Sequence, residues 1–250
     1  LDFGSFGRTL NNIGDGLSAA VDERLKSERM KTELITNVSH DIKTPLTSIV
    51  NYVDLIKKEE IESETVCEYI DVLDRQSARL KKLIDDLVEA SKASTGNITV
   101  EPERLEVGVL LEQSLGEYAQ RFDECRLTPV VTQCDEPLYI MADGRRLWRV
   151  FDNLLNNVCK YALPHTRVYI STEKAGEKAV ITFRNISREQ LNISTDELME
   201  RFVRGDSSRN TEGSGLGLSI ARSLTELQGG ELSLSIDGDL FKASLTFDAV

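Results

Sequence analysis

The sequence of 250 residues lacks any run of about 18 or more apolar residues, so it offers no membrane-spanning helix. It also lacks a basic-then-apolar leader of the secretory kind. Basic charge is short: 30 Lys and Arg against 42 Asp and Glu give a net charge of -12, which argues against wholesale nucleic-acid binding. The four cysteines, Cys67, Cys125, Cys134 and Cys159, fit neither a CxxC metal site nor a dense disulfide frame, and read as reduced thiols of a cytosolic protein. Histidine is scarce: His40 and His165 are the whole supply, so histidine chemistry has few candidates. There is no internal repeat and no low-complexity tract. A charged-residue content of 29% beside 40% hydrophobic residues indicates globular structure with a highly charged surface.

Two halves are distinguishable in what remains. Val21 to Lys92 carries no glycine and has long helical periodicity. Leu34, Val38, Ile42, Leu46, Ile49, Val53 and Ile56 recur every three or four residues. So do Val66, Tyr69, Leu73, Gln76, Leu80, Leu83, Leu87 and Ala90, and each set gives one apolar stripe on a helix. An acidic stretch from Lys58 to Ser63 separates them, with Ser63 as the N-cap of the second helix. Two helices on a short connection form an antiparallel hairpin. One hairpin cannot bury both stripes well, whereas a four-helix bundle of two hairpins can, so a homodimer is expected. Packing of the hairpin onto the rest of its own chain is the alternative.

After Ser94-Thr95-Gly96-Asn97 the pattern becomes mixed. Strands are expected at Ile98–Val100, Leu127–Thr132, Leu138–Met141, Val168–Ser171, Ala179–Arg184, Leu232–Ile236 and Leu240–Phe247. Helices are expected at Val107–Arg121, Arg145–Ala162 and Ile220–Leu227, the last ending at Gly229-Gly230. Such a mixture predicts a two-layer α/β sandwich. The chain therefore divides near residue 95 into an all-α hairpin and an α/β domain. The first residues are less regular, although Leu10, Ile13, Leu17, Val21 and Leu25 can continue a helix into the first long one.

Ser39-His40-Asp41-Ile42-Lys43-Thr44-Pro45-Leu46 falls inside the first long helix. Pro45 removes a backbone donor and crowds the carbonyl of Asp41, so a bend is expected beside His40. His40 lies off the apolar stripe. A neutral imidazole attacks phosphorus with one nitrogen while its other nitrogen needs an acceptor, and Asp41 is the adjacent acid. Thr44 is one turn beyond, on the same face, where its hydroxyl can orient a water. Alone, His40 reads first as an exposed histidine in a charged cluster.

Asn153, Asn157 and Lys160 share one face of the strong helix, followed by Tyr161. Asparagine carbonyls suit magnesium and lysine suits phosphate, although a solvated helix face accounts for the same pattern. Gly213-Ser214-Gly215-Leu216-Gly217 precedes a helix, an arrangement in which backbone N–H groups approach an anion. No Lys-Ser/Thr follows, so this is not a Walker loop. His165, after Pro164, reads as a loop residue, Trp148 as core, and Arg145 and Arg146 as a solvated first turn.

The His40 segment resembles the H-box of the sensor histidine kinases in its ordered His, acid, Thr, Pro and Leu. Asp152 to Tyr161 resembles that family's N-box, Glu200 to Asp206 its F-box, and Gly213 to Gly217 its G2 box. The resemblance spans roughly residues 30 to 248. It implies a phosphoaccepting His40 assisted by Asp41, with Thr44 supporting phosphatase action. It further implies Mg²⁺ on Asn157, phosphates at Asn153 and Lys160, Tyr161 beside the nucleotide, and ATP under a lid at Ser207–Glu212 in which Arg209 meets the γ-phosphate. Gly213, Gly215, Leu216 and Gly217 would form the phosphate loop. One box is altered: where the family has Asp-x-Gly-x-Gly, this chain has Asn185 and no glycine, so an uncharged acceptor would face the adenine amine.

The implied organisation is a membrane-proximal signalling helix or linker at 1–29, a dimerisation and phosphotransfer hairpin at 30–95, and an ATP-binding domain at 96–250. The implied partners are a second copy and a response-regulator receiver domain, with the membrane met only through a preceding N-terminal part and this portion cytoplasmic. A scaffold that has lost kinase activity, or a protein acting mainly as a phosphatase, is the other reading.

Overall fold

The computed structural model describes residues 42–43, 46–58, 63–94, 98–191 and 215–250. It divides into two compact units, Leu1–Thr95 and Gly96–Val250.

In the first unit residues 46–56 are helical (α1), and a second helix runs Glu64–Ser94 (α2). Ser63 stands at the expected start of α2, its carbonyl accepting from the N–H groups of Val66 and Cys67. Glu64 in the first turn and Lys92 in the last complement the helix dipole. The hairpin is antiparallel: Lys43 Nζ lies 2.6 Å from Asp85 Oδ1, and Lys57 Nζ lies 2.7 Å from Asp74 Oδ2 and 3.1 Å from Asp71 Oδ1. These pairs are half-exposed, so they mark register and add little stability.

The apolar stripes of this unit split in two. Leu46 and Val53 are buried, as are Ile70, Ser77, Ile84 and Ser91, which recur at intervals of seven. Ile42, Ile49 and Ile56 remain exposed, as do Val66, Leu73 and Leu80, also at sevens. The expected single stripe is thus wider than one neighbouring helix can cover, because a helix surface contacts another only along a narrow seam.

The second unit begins with strand Glu103–Glu106 (β1), then helix Val107–Glu124 (α3), strands Thr128–Thr132 (β2) and Tyr139–Ala142 (β3), and helix Gly144–Tyr161 (α4). Strands Arg167–Ala175 (β4) and Lys178–Ile186 (β5), helix Gly217–Glu226 (α5), and strands Glu231–Asp237 (β6) and Leu240–Asp248 (β7) follow. β1 and β3 pair antiparallel as a small ribbon, and the main sheet runs β2-β4-β5-β7-β6. Within it β2 and β4 are parallel and every other pair is antiparallel. Val168, Ile170, Ile181, Phe183, Ala243 and Leu245 are buried at alternate positions on one face. Phe151 of α4 meets Phe183 there, with ring centroids 5.8 Å apart. This is an α/β two-layer sandwich.

The expected strand at Ile98–Val100 is absent; the strand is Glu103–Glu106, starting five residues later. Ladder pairing decided this, since Leu105 opposes Ile140 of β3, and local β-propensity yielded to it. Trp148 is half-buried rather than core. His165 occupies an exposed turn with φ 65°, and Arg145 is a solvated first-turn residue 3.6 Å from Glu101.

Candidate nucleotide site

The site is built on α4, whose start is fixed by Asp143. Asp143 Oδ1 accepts from the N–H groups of Arg145 and Arg146 at 3.0 and 3.2 Å, and Oδ2 accepts from the N–H of Glu101 at 3.2 Å. Burial alone would raise the pKa of this carboxyl. The three backbone donors and the Arg146 charge outweigh burial and hold it below the usual carboxylate value. Gln228 ties the end of α5 to this cap, accepting from the Asp143 N–H at 3.0 Å while donating to the Leu224 carbonyl at 2.8 Å.

Along α4, Leu147, Val150, Phe151, Leu154, Leu155 and Val158 are buried, and they fix which way the polar residues point. Asn153 is buried among them, only 7% exposed, and its Nδ2 finds no hydrogen-bond partner. The start of α5 lies against this side chain: a Cβ on Gly217 would stand 3.4 Å from Asn153 Oδ1. Gly215, just before, has φ 69°, a conformation that favours glycine. Leu216 is buried between them, and its carbonyl accepts from the Ile220 N–H and Ser219 Oγ. Asn157, Lys160 and Tyr161 are half-buried farther along α4.

The end of α4 is joined to the end of β5. The Arg188 N–H donates to the Tyr161 carbonyl and the Leu163 N–H to the Ile186 carbonyl, both at 2.8 Å. Asn185 is there, buried, on the helix-facing side of the sheet. Its Nδ2 donates to the Ile186 carbonyl at 3.2 Å, which leaves Oδ1 as an acceptor. The fold therefore assembles Asn153, Asn157, Lys160, Tyr161, Asn185, Gly215, Leu216 and Gly217 on three elements that pack or bond together. His40, Asp41, Pro45 and Thr44 lie outside the described residues, as do Arg209, Gly213 and the remaining lid and F-box positions.

The flank of α4 next to these residues is clamped by α3. The Tyr118 hydroxyl, its pKa raised by burial and by the Asp152 carboxylate, donates to Asp152, whose other oxygen pairs with Arg149 at 2.8 Å. Arg121 donates to Asn156 Oδ1 at 2.8 Å. Burial, aided by the neighbouring Cys125 thiol, pushes Cys159 up to about 12, so it stays a thiol. Sequence reasoning missed this clamp because Tyr118 and Asp152 are far apart in the chain. Asp143, directly before the helix, carried a readable N-cap signal.

An unpartnered buried amide is costly unless something satisfies it. A phosphate oxygen suits Asn153 Nδ2, the N-terminus of α5 favours an anion, and Asn157 supplies a hard oxygen for a magnesium ion. These residues fit a magnesium nucleotide.

Comparisons with known proteins identify the two regions. Residues 30–96 match the His Kinase A (phospho-acceptor) domain, and residues 142–249 match the family of histidine kinase-, DNA gyrase B- and HSP90-like ATPases. Histidine protein kinase SaeS of Staphylococcus aureus (strain USA300) is 31% identical over 239 residues, covering 93% of this chain and 68% of SaeS. Full-length ShkA, solved with AMPPNP, aligns with a TM-score of 0.74 at 19% identity, over 87% of this chain and 46% of ShkA. The histidine kinase AdeS of Acinetobacter baumannii aligns at 0.57 with 17% identity, over 84% of this chain and 97% of AdeS. At these identities the two structures speak for the fold.

Proposed function

This chain belongs to the sensor histidine kinases and is the ATP-binding catalytic portion of one, and from that premise we propose that it moves the γ-phosphate of ATP onto its own His40. The observation that carries the reading is the meeting of Asn153 and Gly217, where a buried side-chain amide sets its Oδ1 against the glycine-rich start of a helix while its Nδ2 has no partner.

One neutral nitrogen of His40 attacks the γ-phosphorus while the bond to the β-phosphate oxygen breaks and ADP leaves. Asp41 accepts from the other ring N–H and steadies the positive charge that develops there. Asn153 donates Nδ2 to a phosphate oxygen, and Lys160 neutralises charge. The glycine-rich turn brings its backbone N–H groups close to the phosphates. Asn185 accepts from the adenine amine through Oδ1, without charge assistance. Arg209 meets the γ-phosphate from the lid. Asn157 would hold Mg²⁺, whose charge would help neutralise the phosphates. Such transfer is mainly positioning and charge neutralisation. Thr44 orients a water for hydrolytic removal of the phosphoryl group as inorganic phosphate.

The working organisation is a linker at 1–29, a phosphotransfer hairpin at 30–95 and an ATP-binding domain at 96–250. The hairpin dimerises through the exposed seam of Ile42, Ile49, Ile56, Leu73 and Leu80, and phosphorylated His40 passes its phosphoryl group to an aspartate of a response regulator. This portion is cytoplasmic, with a membrane reached through a preceding N-terminal part; among the described residues no helix is long and apolar enough to cross one. Calorimetric titration of ATP with and without Mg²⁺ tests the site. Asn157→Ala should abolish the magnesium dependence, and His40→Gln should bind ATP like the parent. Equal, magnesium-independent binding in all three would sink the assignment.

A further inference from the structure

The main sheet has a second face, away from α4, where alternate residues form rows across the strands. One row runs Val130, Tyr169, Arg184, Lys242 and Ser235, from β2 through β4, β5 and β7 to β6. The next runs Thr132, Ser171, Thr182, Ser244 and Ser233, every one a hydroxyl residue. Arg184 and Lys242 are therefore direct cross-strand partners of like charge, an arrangement that costs stability unless something anionic lies between them.

Among the described residues no carboxylate answers the two cations. Asp237 stands one row away at the β6 edge, and Glu173 and Glu231 stand two rows away. Neither Arg184 nor Lys242 makes an ion pair among the described residues. The Arg184 guanidinium carbon lies 5.8 Å from the centroid of the Tyr169 ring, which holds the group over the sheet. Its Nε is buried and has no hydrogen-bond partner. A buried, unanswered guanidinium N–H beside a second exposed cation is what an oxyanion site looks like without its anion. Arg167, on the same side of β4, adds positive charge in a molecule whose net charge is -12.

We propose that Arg184 and Lys242 form a binding site for a phosphate-class dianion, free or carried as a phosphate monoester, on the sheet face opposite the helices. Two cations match a dianion, and a tetrahedral oxyanion has an oxygen to spare for the Ser235 hydroxyl, which stands opposite Lys242. This site is separate from the nucleotide, which the helix-facing side would hold.

The test is titration of the full chain with inorganic phosphate, and separately with phenyl phosphate, at constant ionic strength. The readout is the Arg184 Nε–H resonance, with a saturating non-hydrolysable ATP analogue present. The expected result is a saturable shift with either ligand, a dissociation constant raised roughly tenfold in Lys242→Gln, and no such shift with chloride. Response to phosphate alone assigns a free-ion site; a tighter response to phenyl phosphate assigns an esterified ligand. Lys242 is exposed, so its replacement leaves the fold intact. Equal affinity in Lys242→Gln and parent, an equal response to chloride, or no phosphate response while the ATP analogue occupies the nucleotide site would overturn the proposal. Failure of the analogue to bind would instead count against the nucleotide assignment, while Lys242→Gln still reads the phosphate site.

Discussion

The helical unit and the α/β unit solve burial in opposite ways. The α/β unit encloses its large side chains: Phe122, Phe151, Phe183, Leu147, Leu155 and Ile181 are each under 2% exposed. Among the described residues the hairpin has no side chain among the largest fully buried ones, and it leaves Ile49, Tyr52, Leu55, Tyr69, Leu73 and Leu80 in the open. One unit completes its core within the chain; the other leaves an apolar seam that a second helix pair would cover. A catalytic site needs groups held in fixed positions, which the closed core provides. In the proposed dimer the exposed seam of the hairpin would be the contact surface.

Truncating the closed core should have the largest effect. Phe151→Ala is expected to destabilise the α/β unit by about 3–5 kcal/mol, read from urea unfolding, while the mass of the assembly stays that of a dimer. The converse change should invert the comparison. Leu73→Glu with Leu80→Glu is expected to give a monomer in light scattering and leave ATP binding unchanged. A dimer that survives would place the interface elsewhere.

Asp143 offers an intermediate effect with a definite pH sign. Its folded pKa lies below its unfolded value, so the unfolded chain binds more protons in the window between them. The cap's contribution is complete above the usual carboxylate range and is lost as pH falls through the depressed folded pKa. Asp143→Ala should cost about 1 kcal/mol near neutrality and flatten the acid side of the stability profile. The smallest effect should be chemical. Asn185→Ala removes one uncharged acceptor, so ATP affinity should fall roughly tenfold or less, with selectivity over GTP reduced and the unfolding curve little changed.

Legibility in the sequence followed the same division. The periodicity of the hairpin and the turn residues of the sheet are local signals, so α2, α3, α4 and the β6–β7 hairpin fall where the residues indicate. The shared face of Asn153, Asn157 and Lys160 is likewise a local property of one helix. What was not legible depends on contacts between distant segments. β1 settles at Glu103–Glu106 because β3 is there to pair with it. The hairpin stripe splits into a buried and an exposed seam because only one neighbour is available. The Tyr118–Asp152 clamp, the burial of Asn185 and the close approach of Gly217 to Asn153 leave no trace in spacing.

The central claim is that the phosphoryl group of ATP ends on His40. Incubation with γ-³²P-ATP and Mg²⁺ beside His40→Gln and Asn157→Ala tests it most directly, with the label checked for acid lability and alkali stability. Acid-labile, alkali-stable label on the parent chain, absent from both variants, is the expected result. A folded dimer that binds ATP yet takes no label, or label that persists in His40→Gln, would contradict the claim.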